Sequence, residues 1–478
     1  MINLKEIAER MNNSDELIQF YDRYKDEILD FSIEIINKYE KEINIENEID
    51  WIIDELNLYD SVMEDTFRYI IIPKIKDFPI MKRFAKEIKN NELLGIINGK
   101  KSYANFKKYI NHNSLDKAWY DFRDNAYIEI LTDWAIKNEL LTKNLTNEEK
   151  MELFTLANSI CDLAPWNYFT DMDYFTIKYD NQIFTYCILG NSDKCYGISI
   201  YIDEVEHNNH LIERLLATLN DQSLLPGFIK TCYNVYYDEY EDLDELNRDF
   251  IDDLVDEIKP KLYPNFIVCK TGLMPDKIKT ELDYSSYMVG LGLLYEFLIK
   301  YVNKPRIYKD EFHLEITYVN DEFKIRKSNK STDPSLDYLP YIDTKKLVDF
   351  LSSDFTITDD EYYFDLNVLP FPQKEGDYNL CIYTPIIVDY TSENILYVGQ
   401  VTAKGGEFFN EVLVDLINHF KNKIIPKKIY VFNPITALII EILFRGKVIV
   451  EPNDNTYVVN NFFDSMFDDI MKEEFNES

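Results

Sequence analysis

Between Tyr378 and Ile470 the chain alternates short apolar runs with helical patterns, and no other stretch constrains the fold as strongly. Tyr378–Tyr390 (YNLCIYTPIIVDY) and Ile395–Thr402 (ILYVGQVT) are β-branched and aromatic runs on either side of Thr391–Asn394, the pattern of a β-hairpin. Lys427–Asn433 (KKIYVFN) and Lys447–Glu451 (KVIVE) are short apolar runs between helical patterns, which predicts parallel strands with helical crossovers. The C-terminal part is therefore expected to be an α/β domain with a hairpin and parallel strands.

The preceding chain reads differently. Leu4, Ile7, Ala8 and Met11 follow helical spacing, as do Ile28, Phe31, Ile35 and Ile36, then Trp51, Ile52, Leu56 and Leu58. Residues 1–141 are accordingly expected to be an all-helical domain. Thr146-Asn147-Glu148-Glu149 carries the signature of a helix start, and Leu153, Leu156, Ala157 and Ile160 mark one face of the helix that follows. Phe175–Tyr179, Gln182–Leu189 and Tyr196–Ile202 read as an antiparallel meander, with a further hairpin around Asn320-Asp321. With 478 residues and about 150 per domain, three domains fit: 1–141 helical, 142–360 antiparallel α+β, and 361–478 α/β. The class is multidomain α+β.

A formal charge of −35 limits the partners. Nucleic-acid phosphates and anionic membrane surfaces are bound through Lys and Arg, so both are disfavoured. Asp238–Glu257 concentrates eleven acids and a single base, Arg248, over a helical stripe of Phe250, Leu254 and Ile258. If the protein binds a partner, that partner is expected to be basic, with Asp242, Asp244, Asp252 and Asp253 at the contact. The six cysteines form no C-x-x-C pair and read as core thiols of a reducing compartment. The N-terminus has no apolar core of a secretory signal, and the apolar run Tyr287–Ile299 is too short to span a bilayer, so a cytoplasmic location is expected.

Three segments carry resemblances. Gly99, Tyr103, Phe106, Lys107, Trp119, Phe122, Arg123 and Trp134 resemble the pattern of an uncharacterised bacterial family of small UPF-type domains. Leu163-Ala164-Pro165-Trp166, Asp171, Asp173, Leu189-Gly190, Tyr196-Gly197 and Tyr263-Pro264-Asn265-Phe266 resemble the first of two bacterial domains of unknown function that occur in tandem. The strand before Leu369-Pro370, the hairpin ending Val388-Asp389, and Pro426–Val431 resemble the second. These resemblances imply fold units and bring no active site with them.

Chemistry is sparse in the sequence. His207 and His210 are spaced H-x-x-H without further ligands nearby, short of a zinc site, so neither a metal nor a cofactor is expected. Gly405-Gly406 opens a helix, but Glu407 beside it would repel a phosphate. Arg123 is a candidate carboxylate clamp or structural ion pair. Hairpin, helix, strand and helix at the C-terminus is part of the order of ribonuclease-H-like nucleases, which hold two magnesium ions on carboxylates. The corresponding seats here are Asp389, Glu411 and Asn433, of which the third is not a carboxylate. Two readings result: a non-catalytic binding or adaptor module, and alternatively a nucleic-acid-processing enzyme working through the C-terminal domain.

Overall fold

The computed structural model describes residues 2–11, 16–23, 25–40, 50–64, 68–170, 173–190, 195–218, 229–243, 245–252, 254, 260–302, 313–328, 344–353, 355–375, 378–402, 408–421, 424–432 and 434–453. Asp244, Asp253, Gly405, Gly406, Glu407 and Asn433 lie outside the described residues. The multidomain α+β class holds, and the chain divides into two compact units.

The first unit comprises Met1–Asn144 with Lys279–Tyr284. It holds α1 (Leu4–Met11), β1 (Leu17–Asp22), β2 (Glu27–Ser32), α2 (Ile33–Glu40), α3 (Asp50–Glu64), β3 (Tyr69–Ile71), α4 (Asp77–Glu87), α5 (Asn91–Ile97), α6 (Ser102–His112) and α7 (Asp116–Lys137). It is therefore not all-helical: β1 pairs antiparallel with both β2 and β3. The helical spacing of Ile28, Phe31, Ile35 and Ile36 is fortuitous, because it straddles the junction of β2 and α2. Phe31 and Ile36 instead join Phe20 and Val62 in a small core of their own. The main core gathers α4, α6 and α7 around Trp119, whose ring meets Phe106 at 4.7 Å and Phe84 at 5.4 Å, both edge-on. Phe122 and Trp134 pack at the margin of that core, and the Trp134 indole donates to the Ile71 carbonyl at 3.0 Å.

The second unit comprises Leu145–Ile278 and Ser285–Ser478. It opens with α8 (Asn147–Asp162), started by the capping box that the sequence announces: the Glu149 N–H donates to Thr146 Oγ1 at 3.2 Å and the Thr146 N–H to Glu149 Oε2 at 2.9 Å. Then come β4 (Tyr174–Tyr179), β5 (Gln182–Leu189), β6 (Tyr196–Ile202), α9 (Asp203–Thr218), β7 (Cys232–Asp238), α10 (Glu245–Asp252), β8 (Tyr263–Cys269), α11 (Glu281–Tyr301), β9 (His313–Val319) and β10 (Glu322–Ser328). The strands form a seven-stranded sheet in the order β10-β9-β4-β5-β6-β7-β8, antiparallel except between β4 and β9. Buried Tyr186 and Tyr287 tie this sheet and α11 together: Tyr186 donates to the Gly290 carbonyl at 2.9 Å, and Tyr287 to the Asn234 carbonyl at 2.8 Å.

The same unit continues with α12 (Thr344–Leu351), β11 (Thr356–Val368), β12 (Gln373–Glu375), β13 (Tyr378–Leu380), β14 (Ile382–Asp389), β15 (Ile395–Val398), β16 (Val401–Thr402), α13 (Phe408–Phe420), β17 (Ile424–Val431), α14 (Pro434–Phe444) and β18 (Ile449–Pro452). The second sheet runs β15-β14-β11-β17-β18, with β16 beside β14. β11, β14 and β15 are antiparallel neighbours, whereas β17 and β18 extend the sheet in parallel from β11. A three-strand meander followed by two parallel strands is the ribonuclease-H-like order. The first strand of that order is β11 rather than Tyr378–Tyr390, and β15, read from sequence only as a hairpin partner, is the third. Phe364, Leu366 and Val368 of β11 meet α13 and α14 in a large apolar core, while Tyr363 belongs to a smaller core on the opposite face with Ile386 and Val388.

Candidate functional site

A gathering of titratable side chains lies between α9 and the seven-stranded sheet. Strand register builds one side of it. Thr185 stands opposite Tyr201, Cys187 opposite Ser199, Ser199 opposite Asn234, and Cys232 opposite Cys269, so these side chains share one face. Helical spacing builds the other, since Glu206, His210 and Glu213 recur at intervals of four and three along α9. Lys230, just before β7, reaches in from the side and pairs with the Glu213 carboxylate. Tyr201 donates to Glu213 Oε2 at 2.8 Å and lies 3.4 Å from Lys230 Nζ. Glu206 accepts the Thr231 N–H at 2.7 Å and an Asn209 amide N–H at 3.1 Å. His207 meets Thr185 Oγ1 at 3.0 Å. The buried His210 ring tilts against Tyr201 at 4.5 Å, and its Nδ1 lies 3.8 Å from Glu213 Oε2.

Burial and charge separate these groups electrostatically. Burial pushes the Glu206 carboxyl up to about 7, in spite of its two donors. For Glu213 burial acts in the same sense, but the His210 ring, Lys230 and Tyr201 outweigh it and hold the carboxyl at about 2. Burial opposes the Lys230 charge, but the paired Glu213 carboxylate works against it, and the ammonium sits above the ordinary lysine range. Burial keeps His210 below the usual histidine range, hence neutral near pH 7. One helix thus presents a permanent carboxylate, Glu213, and a carboxyl that titrates near neutrality, Glu206. Shifted groups in such number are characteristic of functional sites, although structural ion pairs also produce them.

The H-x-x-H pair lies in this layer: both rings meet Tyr174, at 5.8 Å from His207 and 5.4 Å from His210, while Thr185 hydrogen-bonds His207 and Tyr201 packs on His210. Among the described residues no group of three or more His, Cys, Asp or Glu is placed to hold a metal ion. Lys230, Glu213, Tyr201, Cys232 and Cys269 were not singled out in the sequence, because no spacing relates residues that strand pairing brings together. The row Glu206, His210, Glu213 was the available signal.

The remaining candidates are dispersed. Asp389 caps its own hairpin: its Oδ1 accepts from the Ser392 N–H at 2.6 Å, the Ser392 hydroxyl at 2.7 Å and the Thr391 N–H at 3.2 Å, and the Ser392 bonds hold it below the usual carboxylate range. Glu411 lies in the first turn of α13, one turn from Phe408, whose ring stacks on Tyr383 at the far end of β14. Six residues of strand separate Tyr383 from Asp389, about 20 Å at the usual rise. The β11 positions that face α13 are Phe364, Leu366 and Val368, none of them a metal ligand. Arg123 bonds Asp124 through Nε at 3.2 Å and Nη2 at 2.8 Å, and lies over the Tyr120 ring at 5.0 Å, so the local ion pair takes up its fork. Asp242 and Asp252 are exposed.

Residues 151–317 match the family described as a domain of unknown function, DUF7309. No curated protein matches the chain. No solved structure matches it. No helix among the described residues is long and apolar enough to cross a membrane.

Proposed function

We propose that the chain is a binding or adaptor module that docks a basic protein partner through its acidic segment. One observation carries this reading. Leu243, Ile251 and Leu254 of that segment are buried against Phe154, whereas Glu241, Asp242, Asp249 and Asp252 point outward with no Lys or Arg within ion-pairing distance among the described residues. The apolar stripe thus anchors the segment; Asp252 accepts the Tyr240 hydroxyl, and Glu241, Asp242 and Asp249 are left for solvent or a partner. A contact of this kind acts within roughly 8 Å at about 0.15 M ionic strength, which demands a complementary patch at close range. We read residues 142–360 and 361–478 as the tandem pair, residues 1–141 as the UPF-type unit, and the whole as a bacterial cytoplasmic protein.

The test uses a lysine-rich peptide as probe at several salt concentrations. Replacing Asp242, Asp244, Asp252 and Asp253 with Asn should slow association. A control with Asp121, Asp133, Glu393 and Glu441 neutralised, which removes the same charge elsewhere, should not. Equal loss in both variants would overturn the reading. So would magnesium- or manganese-dependent cleavage of nucleic acid that disappears in Asp389→Ala, the outcome of the enzymatic alternative.

A further inference from the structure

The backbone of β8 fixes how Cys232 and Cys269 face each other. The Phe266 N–H donates to Asn247 Oδ1 at 3.0 Å and its carbonyl accepts from Asn247 Nδ2 at 3.3 Å. Val268 exchanges bonds with Asp276 at 2.7 and 2.9 Å. Both residues therefore turn their polar backbone groups away from β7, and their neighbours Ile267 and Cys269 turn theirs toward it. Cys269 stands directly opposite Cys232, the last residue of β8 against the first of β7. Opposed residues of this hydrogen-bonded kind have Cα atoms about 5.5 Å apart, inside the range of roughly 4.4–6.8 Å that a disulfide accepts. Asn234 Nδ2 donates to both sulfurs at 3.4 Å, which places the two thiols around one amide.

We propose that Cys232 and Cys269 form a peroxide-oxidisable pair, in which Cys269 attacks the oxidant and Cys232 closes a disulfide. The roles follow from access and charge. Cys269 is half-buried and Cys232 fully enclosed, so an oxidant reaches Cys269 first. The adjoining Cys232 thiol and, against burial, the nearby Lys230 charge hold Cys269 below the usual thiol range, and the proximity of Cys269 together with burial holds Cys232 above it. In the first step the Cys269 thiolate attacks one peroxide oxygen, the O–O bond breaks, and hydroxide leaves to take up a proton as water. Cys269 is then a sulfenic acid. In the second step Cys232 gives up its proton, its sulfur attacks the Cys269 sulfur, and the sulfenic hydroxyl leaves as a second water. Two thiols and one peroxide thus yield one disulfide and two waters. The Cβ atoms of such an opposed pair lie up to about 5.5 Å apart, against roughly 3.8 Å in a disulfide, so the bridge draws two strand ends together and stays reducible. In a reducing compartment that makes it transient. Its effect extends past β8, because the Gly272 carbonyl just beyond accepts the Cys381 N–H at 2.9 Å.

The experiment treats the reduced full chain with hydrogen peroxide, alkylates it and maps the peptides by mass spectrometry. A Cys232–Cys269 cross-link that dithiothreitol reverses is expected. Cys232→Ser should leave a sulfenic acid on Cys269 that dimedone traps, and Cys269→Ser should lower oxidation at Cys232 at least tenfold. Should either variant fail to fold, the alkylation of the native chain decides: Cys269 should react with iodoacetamide at a lower pH than Cys195, the exposed cysteine. Oxidation confined to Cys195, overoxidation of Cys269 without a cross-link, or equal pH profiles for Cys195 and Cys269 would overturn the proposal.

Discussion

Replacing Glu206 with Gln tests the electrostatics of the layer beneath α9 with little change of shape. Gln keeps an acceptor for the Thr231 N–H and the Asn209 amide, but it does not titrate. The Glu206 carboxyl, ordinarily at 4.5, is raised to about 7 in the folded chain, chiefly by burial. A raised carboxyl binds its proton more tightly folded than unfolded, so its contribution is complete below pH 4.5 and is lost as pH rises toward 7. Integrated over that window, the loss between pH 5 and pH 8 is about 2.5 kcal/mol, an upper figure because Glu206 is partly exposed. The variant should therefore match the native chain at pH 5 and exceed it by about 1–2.5 kcal/mol at pH 8. A chain of several domains does not unfold in one step, so the probe must be local. Cys187, buried in β5 of the same sheet, serves: its alkylation along a urea series reports the opening of that sheet. A stability difference between variant and native chain that is the same at pH 5 and pH 8 would refute the reasoning.

Lys230→Met strands the Glu213 carboxylate and should cost about 3–5 kcal/mol, most of it recovered when Glu213→Leu is added, as a double-mutant cycle by urea unfolding would show. Trp119→Ala should cost about 3–5 kcal/mol in the first unit, read by thermal unfolding, since Trp119 is fully enclosed between Phe84 and Phe106. Gly399→Ala places a Cβ 2.5 Å from Asp415 Oδ2 and 2.8 Å from Pro385 Cγ, so it should lower stability by about 1–3 kcal/mol and disturb the Tyr397–Asp415 bond, visible as a shift in tyrosine absorbance.

Local signals survived in the sequence where one element carries them. The Thr146 capping box, the β4–β6 meander and the alternation that yields β14, β17 and β18 could each be read from neighbouring residues. What needed pairing could not. Only Tyr362–Val368 of β11 looked like a strand, because Thr356–Glu361 is acidic and half solvent-facing, so Tyr378–Tyr390 stood in as the first strand of the meander and the third was not evident. In the first unit the strand Leu17–Asp22 buries Gln19 and Asp22, the latter held by Arg68 at 2.7 and 3.0 Å, so polar residues in the core masked the strand pattern. The candidate layer was half legible: α9 showed its histidines, whereas Lys230 and the cysteines became neighbours only through register.

The junction beyond β8 bears on how this protein can be divided. The Leu273 region is stitched to β13 and the residue after it by the Met274 N–H on the Asn379 carbonyl at 2.9 Å and the Cys381 N–H on the Gly272 carbonyl at 2.9 Å. The segment matched to DUF7309 ends at residue 317, inside β9 and before β10, which flanks it. A fragment cut to that boundary would carry two fresh wounds: a clipped strand whose outer neighbour is gone, and a loop whose amide partners remain on the discarded piece. Extending it to Ser328 restores the sheet edge but not the loop, so soluble material should be sought from Leu145 through the end of the chain.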